Sequence, residues 1–387
     1  MVTKKVIKNS KQFFTGTYLG RIWSPKVKGP CVVTVRDGDI YDITSKHAPT
    51  VRDICEMEDS LAYVKSIVGE RVGSWSEICQ ANTDDNDQYH ILAPCDLQAV
   101  KACGVTFASS MVERVIEEQA AGDPQKAKSI RDLIGGIIGD SLKNIEAGSR
   151  DAEKVKEALI KENLWSQYLE VGIGPDAEVF SKSQTLSSVG HGAEIGLHPI
   201  SKWNNPEPEV VLVVSSKAKV VGACLGNDVN LRDIEGRSAL LLSKAKDNNA
   251  SCSIGPMIRL FDDEFTMDTI RSEQIDLLVE GEDGFVLKGQ SNMSEISRDP
   301  LDLVSQIIGP HHQYPDGFML FLGTLFAPTQ DRDVEGEGFT HKVGDKVAIS
   351  SKHLGLISNT VRLSTKCAPW TFGVSHLMKN LAERQLL

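Results

Sequence analysis

The chain has 387 residues, with 42 basic and 53 acidic side chains and a formal net charge of −11. At roughly 100–200 residues per domain it fits two domains, one large and one small, and an apolar share of 41% supplies a sizeable core. The acidic balance excludes nucleic-acid binding over a broad basic face, and no run of about 18 apolar residues is present to span a membrane.

The eight cysteines are scattered without a CxxC pair, which predicts reduced thiols in a reducing compartment. The start, Met1 to Lys11, is basic but leads into no apolar run, so a cytoplasmic location is expected.

In chain order, Cys31 to Thr44 alternates apolar and polar residues around Asp37-Gly38, which predicts a β-hairpin with a tight turn. Val51 to Val68 reads as helix. The polar run Ala81 to Gln88 marks a boundary, so residues 1–92 are expected to form a small N-terminal α/β domain and residues 93–387 a larger one. Cys95 to Ala108 reads as strand and loop.

A helical insert over about 109–163 follows, in three pieces: Ser109 to Ala121, Pro124 to Ala147 and Asp151 to Asn163. Ile130, Leu133, Ile134, Ile137 and Ile138 carry the helical spacing of the middle piece. The insert reads either as a lid over a site or as an oligomer contact. From Tyr168 onward the sequence turns β-rich, and the stretch from Gly344 to Leu363 reads as two or three strands. The expected class is α+β, with β predominant.

The densest chemical signal lies between His198 and Ser238. Pro206 and Pro208 bracket Glu207 and force an extended chain, in which residues two apart share a face. Glu207 and Glu209 therefore project side by side. Val210 to Val214 continues the strand, Ser215 to Lys219 turns, and Val220 to Gly226 returns. Pairing Val214 with Val220 puts Glu207 opposite Asn227 and Glu209 opposite Leu225, with Asp228 at the same open end. Three carboxylates at one point repel unless a cation joins them, and all-oxygen ligation suits Mg²⁺, Mn²⁺ or Ca²⁺. A Glu-x-Glu alone also fits a plain solvated strand face.

The motifs that follow keep a fixed order: Asn227-Asp228-Val229-Asn230-Leu231-Arg232-Asp233, then Lys246 ahead of Ile254-Gly255-Pro256, then Gly323-Thr324, then Gly344-Asp345-Lys346-Val347. In this order and spacing the chain resembles the fumarylacetoacetate hydrolase superfamily over roughly residues 95–387. Asn230 and Leu231 depart from the superfamily's usual small pair.

The resemblance implies a mixed β-roll fold and a homodimer or homotetramer. It also implies Mg²⁺ or Mn²⁺ on Glu207, Glu209 and Asp228, and a lysine, Lys246, within reach of substrate. Thr324, Arg232 and Thr106 are the substrate contacts it suggests.

Hydrolases of this superfamily carry a water-activating His in a Gly-x-Asn-Tyr-x-x-His stretch. The matching stretch here starts at Gly104 and has Ser110 in the His position. Glu178-Val179-Phe180-Ser181-Lys182 instead resembles a Glu-Val-Phe-x-Lys stretch in the superfamily's 2-keto-3-deoxy-sugar-acid dehydratases.

The implied activity is metal-dependent dehydration of a 2-keto-3-deoxy-pentonate to 2,5-dioxopentanoate through a cation-stabilised enolate. Lys246 and Glu178 share the proton transfers, with acid and base unassigned between them. A lysine beside a metal is expected to titrate below its ordinary range. Lys182 and Lys244 are the other lysines in the region. The rival readings are a C–C hydrolase of acylpyruvate or fumarylpyruvate type, a Schiff-base enzyme on Lys246, and a non-catalytic metal-binding protein.

Overall fold

The computed structural model describes residues 15–121, 145–161, 165–324, 328–335 and 337–387, with a few positions between 123 and 130. The first strands are β1 (Tyr18–Ser24), β2 (Gly29–Arg36), β3 (Asp39–Asp42), β4 (Glu70–Ser74), β5 (His90–Leu92) and β6 (Ala99–Gly104). After the helical insert come β7 (Glu178–Ser183), β8 (Glu194–Leu197), β9 (Pro208–Val214), β10 (Val220–Asp228) and β11 (Cys252–Leu260). The remainder are β12 (Gln274–Glu280), β13 (Val286–Asn292), β14 (Phe318–Phe321), β15 (Lys346–Ser351) and β16 (Gly355–Leu363).

These strands make two sheets. The larger runs β4-β3-β2-β1-β11-β10-β9-β14-β6-β7, with β5 attached to β1, and the smaller runs β13-β12-β15-β16-β8. The architecture is α+β and rich in β, as the sequence predicts.

β9 explains why the site lies inside. Its alternate residues enter two different cores. Val210, Leu212 and Val214 join the core shared with the second sheet, including Ile275, Val347 and Ile357. Val211 and Val213 join a core that includes Val51, Ile54 and Val64. A strand covered on both faces reads as an unbroken apolar run, so the glutamates at its start are carried into the interior.

The Asp37-Gly38 hairpin forms as expected. Both turn residues have positive φ, +52° and +84°, and Arg36 pairs with Asp39, the geometry that favours Asp-Gly in a two-residue turn. Val51 to Val68 is helical as expected, in two pieces, Val51–Cys55 and Ser60–Ser66. The break falls where Asp59 caps the second helix by accepting from the Ala62 N–H.

The expected boundary near residue 92 falls between β5 and β6. β1 pairs with β11 through Tyr18–Arg259 and Leu19–Ile258, so the N-terminal strands extend the larger sheet. In the insert, Ala108–Gln119 and Arg150–Lys161 are helical; most of Pro124 to Ala147 lies outside the described residues. With Gln167–Ile173 the insert helices pack their own apolar cluster around Met111, Val115, Leu159 and Leu169. Gly344 to Leu363 supplies two strands, β15 and β16. Among the described residues no helix is long and apolar enough to cross a membrane.

Candidate active site

The β9–β10 hairpin starts as counted, Val214 against Val220, but a bulge at Val221 shifts the register by one. Glu209 consequently lies opposite Gly226 rather than Leu225. Asp228 lies opposite Glu207, donating its N–H to the Glu207 carbonyl at 3.0 Å. This corrects the expected pairing, and the correction matters for function. In the counted register Glu207 faces Asn227, and Asp228 points to the other side of the sheet. The extra residue turns Asp228 onto the face of both glutamates.

The three side chains are at least 98% buried, with relative exposures of 2%, 1% and 1% for Glu207, Glu209 and Asp228. One oxygen from each lies within 4.8 Å of the others. They line a cavity of about 10 Å³, room for one water-sized body. Glu178, Lys246, Arg114, Glu235, Phe180 and Thr324 line it with them.

Lys246 ends the short helix Leu242–Lys246 and reaches in over the ring of Phe180. Its Nζ lies 2.5 Å from Glu207 Oε2 and 3.0 Å from Asp228 Oδ2. Lys182, wholly buried on β7, pairs with Asp228 Oδ1 at 2.8 Å and donates to the Val229 and Lys246 carbonyls. Arg114 spans the other side, donating to Glu207 Oε1 and lying 2.8 Å from Glu235 Oε2. The Gly323 N–H donates to Glu209 Oε2 at 2.7 Å. Gly323 has φ +98°, and a Cβ there would lie 2.0 Å from Thr106 Oγ1, so glycine permits this approach.

Five carboxylates (Glu178, Glu207, Glu209, Asp228, Glu235) thus meet three cations (Arg114, Lys182, Lys246), a formal excess of two negative charges. The titration behaviour follows. Burial, then Asp228 and Glu207, push Glu209 well above the usual carboxylate range. Burial acts most strongly on Asp228 too, but Lys182 and Lys246 together overcome it and hold the group low. Burial would likewise lower Lys246, yet Asp228, Glu207 and Glu235 outweigh it and raise the lysine above its ordinary value. That direction is opposite to the one the sequence suggests. Glu178 is pushed up to about 7, first by burial and then by Glu235, against the pull of Arg114 and Lys246.

A hard divalent ion fits this donor set. Its charge equals the excess, and its ligands would be Glu207, Glu209 and Asp228, all oxygen donors.

The structure brings together six of the eight residues singled out by sequence: Glu178, Glu207, Glu209, Asp228, Lys246 and Thr324 line one cavity. Thr106 and Arg232 are not among its lining residues. Thr106 donates to the Leu322 carbonyl at 2.6 Å and so braces the turn before Gly323. Arg232 is buried, stacks 5.3 Å from the Trp203 ring centre, and donates to the Pro328 carbonyl.

Two charged lining residues, Arg114 and Glu235, escaped the sequence reading. Arg114 stands one helical turn after Ser110, and that spacing on a predicted helix is the signal that could have found it. Glu235 sits seven residues beyond Asp228 and had no distinguishing pattern.

A family model described as fumarylacetoacetate (FAA) hydrolase C-terminal matches residues 158–362, a span that holds the three carboxylates, Lys182 and Lys246. The chain belongs to the FAA hydrolase family. It is similar to a probable 2-keto-3-deoxyxylonate dehydratase of Haloferax volcanii, at 26% identity over 326 residues, covering 84% of this chain and 93% of that one. A 2-dehydro-3-deoxy-D-arabinonate dehydratase of Saccharolobus solfataricus is 29% identical over 192 residues, 49% of this chain and 60% of that one. A solved structure described as 2-keto-3-deoxy-D-arabinonate dehydratase complexed with magnesium and 2,5-dioxopentanoate aligns with a TM-score of 0.62. It covers 89% of this chain and 99% of that one, and at 21% identity it establishes the shared fold.

Proposed function

We propose that the protein dehydrates a 2-keto-3-deoxy-pentonate, of xylonate or arabinonate configuration, to 2,5-dioxopentanoate, with Mg²⁺ or Mn²⁺ held by Glu207, Glu209 and Asp228. The observation that carries the reading is the placement of two proton carriers, Glu178 and Lys246, in the same cavity as the carboxylate triad. The relatives named for this reaction support the substrate class.

When bound, the ion supplies Lewis acidity to the substrate's carboxylate and 2-oxo group. The chain supplies the rest. Glu178, pushed up to about 7, gains and loses a proton readily near neutral pH. Lys246 presents an N–H to the cavity, directed by Glu207 and Asp228. One of the pair takes a C3 proton and the other protonates the departing C4 hydroxyl. One C–H and one C–O bond break, one water leaves, and proton shifts convert the C5 alcohol carbon to the aldehyde. Thr324 meets the substrate carboxylate from the cavity wall, with Thr106 and Arg232 holding the surrounding loops. A homodimer or homotetramer belongs to the same reading.

Ser110 occupies the position of the superfamily's water-activating histidine, and among the described residues the proton carriers at the cavity are carboxyl and amine. That favours dehydration over C–C hydrolysis. The test is incubation of the protein with 2-keto-3-deoxy-D-xylonate and with the D-arabinonate epimer, with Mg²⁺ and with chelator. Metal-dependent release of 2,5-dioxopentanoate from at least one is expected. No product from either, or cleavage of an acylpyruvate instead, overturns the proposal.

A further inference from the structure

The Glu178 carboxyl is held in place from two directions. Glu178 opens β7 and pairs with Gly104 on β6. Its carboxyl lies so flat on that glycine that a Cβ at 104 would come 1.9 Å from Glu178 Oε2. The other constraint is the turn that delivers the chain to β7, residues 174–177, directly after the helix Gln167–Ile173.

A helix end exposes carbonyls with no partner of their own, and here one side chain collects them. Arg298 is 4% exposed. Its Nη2 donates to the carbonyls of Val171 at 2.9 Å, Gly174 at 2.6 Å and Asp176 at 3.3 Å, and its Nη1 to Pro175 at 3.4 Å. A planar guanidinium can serve several fixed acceptors at once, which an ammonium cannot.

The segment carrying Arg298 also grips the opposite wall. Ser297 donates through both its N–H and its hydroxyl to the Thr106 carbonyl, at 2.8 and 2.9 Å. Ile296 bridges Phe107. Gln306, just past the helix Pro300–Ser305, adds a contact to Ala177 N and another to the Pro175 carbonyl. Residues 296–306 therefore tie the turn before Glu178 to the stretch just after Gly104, although none of them lines the cavity.

We infer that Arg298 is a positioning residue for Glu178: by gathering the carbonyls of Val171, Gly174, Pro175 and Asp176 it fixes where β7 begins and so where the Glu178 carboxyl sits against Gly104. This rests on the proton-transfer role proposed for Glu178. A displacement of about 1 Å at a catalytic group can cost about 10²-fold in rate, so a residue outside the cavity can act strongly.

The test uses Arg298→Met, Arg298→Lys, Glu178→Gln and the double variant Glu178→Gln/Arg298→Met, in two arms. In the first, Arg298→Met lowers kcat about 10- to 100-fold while Mg²⁺ affinity by calorimetry stays within about threefold, since the triad is untouched. Arg298→Lys recovers part of the loss. On the Glu178→Gln background Arg298→Met adds less than about threefold, because residues acting as a unit are non-additive. The second arm needs no turnover: the ¹³C resonance of the Glu178 carboxyl, assigned by its loss in Glu178→Gln, moves in Arg298→Met at fixed pH.

An unmoved resonance overturns the inference, as does a parallel fall in Mg²⁺ affinity or an additive double variant. Full turnover in Glu178→Gln overturns the proton-transfer role instead, and the resonance arm then still decides whether Arg298 places the carboxyl. Should Arg298→Met fail to fold, Arg298→Lys carries both arms.

Discussion

Two buried charge clusters among the described residues are built on opposite rules. At the far end of the chain Asp345 meets Arg332 in a two-pronged pair, Nη1 to Oδ2 at 2.6 Å and Nη2 to Oδ1 at 2.7 Å, with both side chains 1% exposed. The Lys342 N–H and His341 Nδ1 also contact Oδ2, at 2.9 and 3.2 Å. Arg332 Nη2 also reaches Asp283 at 3.1 Å, and Lys342 Nζ meets Asp283 from its other side at 3.0 Å, so Asp345 and Asp283 are matched by Arg332 and Lys342, and both Asp345 oxygens are occupied. In the candidate active site the count does not close: five carboxylates surround three cations, and one of them, Glu209, is driven towards holding a proton. Balanced buried charge holds loops in place, whereas unbalanced buried charge calls for something from outside.

The largest expected effect attacks the imbalance. Glu207→Gln with Glu209→Gln removes two ligands and two charges. Turnover of the 2-oxo acid should fall at least about a thousandfold, since ligand loss forfeits several kcal/mol of charge stabilisation. Mg²⁺ binding by calorimetry should vanish with it. The apo form should melt no lower than wild type, because buried like charges have been relieved. A double variant that still binds Mg²⁺ with native affinity would break the comparison.

The balanced cluster should respond in the reverse way. Asp345→Asn removes the buried one of Arg332's two counter-charges and leaves only the partly exposed Asp283, a loss of about 2 kcal/mol in unfolding free energy, read by denaturant titration. Turnover per folded molecule should stay near wild type. The pH dependence has a fixed sign. Burial raises Asp345, but hydrogen bonds from Arg332, His341 and Lys342 overcome it and hold the group at about 2, below an unfolded aspartate near about 3.9. Its stabilisation is therefore complete above about pH 4 and is lost as pH falls through about 2. Asp345→Asn should flatten that part of the melting-temperature profile.

How much of this was legible in the sequence differs between the two clusters. Glu207 and Glu209 were readable because the flanking prolines and the VVLVV run fix an extended, buried chain. Gly344-Asp345 was readable only as a motif; its partner Arg332, thirteen residues upstream, has no periodic relation to it. Counting from the turn places Asp228 at the right end of the hairpin with a register one residue out, and the bulge at Val221 that corrects it is marked only by Gly222, a glycine inside a strand that does not say which residue is extra. Arg114 reaches the cavity from the insert helix Ala108–Gln119, one turn beyond Ser110, whereas Glu235 arrives from the short helix Arg232–Glu235 through tertiary packing that local pattern does not encode.

The next effect down concerns Glu178 itself. Glu178→Gln should lower kcat about 10²-fold and remove one limb of the pH–rate profile near pH 7, where burial places this carboxyl. The sign of that limb assigns the role. A base must be ionised, so kcat would rise as pH climbs through about 7; an acid must hold its proton, so kcat would fall across the same window. A limb that survives in Glu178→Gln would belong to another group and would sink both assignments.

The smallest effect separates charge from position within the cavity. Gly104→Ala changes no charge and leaves all eight ionisable groups in place, but its Cβ would sit 1.9 Å from Glu178 Oε2. The backbone at 104 needs no positive φ, and the atom in the way is the far end of a flexible side chain. The fold should therefore absorb the change with under about 1 kcal/mol of destabilisation while the carboxyl swings aside. Turnover should drop about tenfold with Mg²⁺ affinity intact, the fraction of the Glu178→Gln loss expected from misplacing a proton carrier without deleting it. If Gly104→Ala instead weakens Mg²⁺ binding as much as turnover, Glu178 belongs to the ion's charge balance rather than to proton transfer, and the excess of two negative charges must be recounted with it as a structural member.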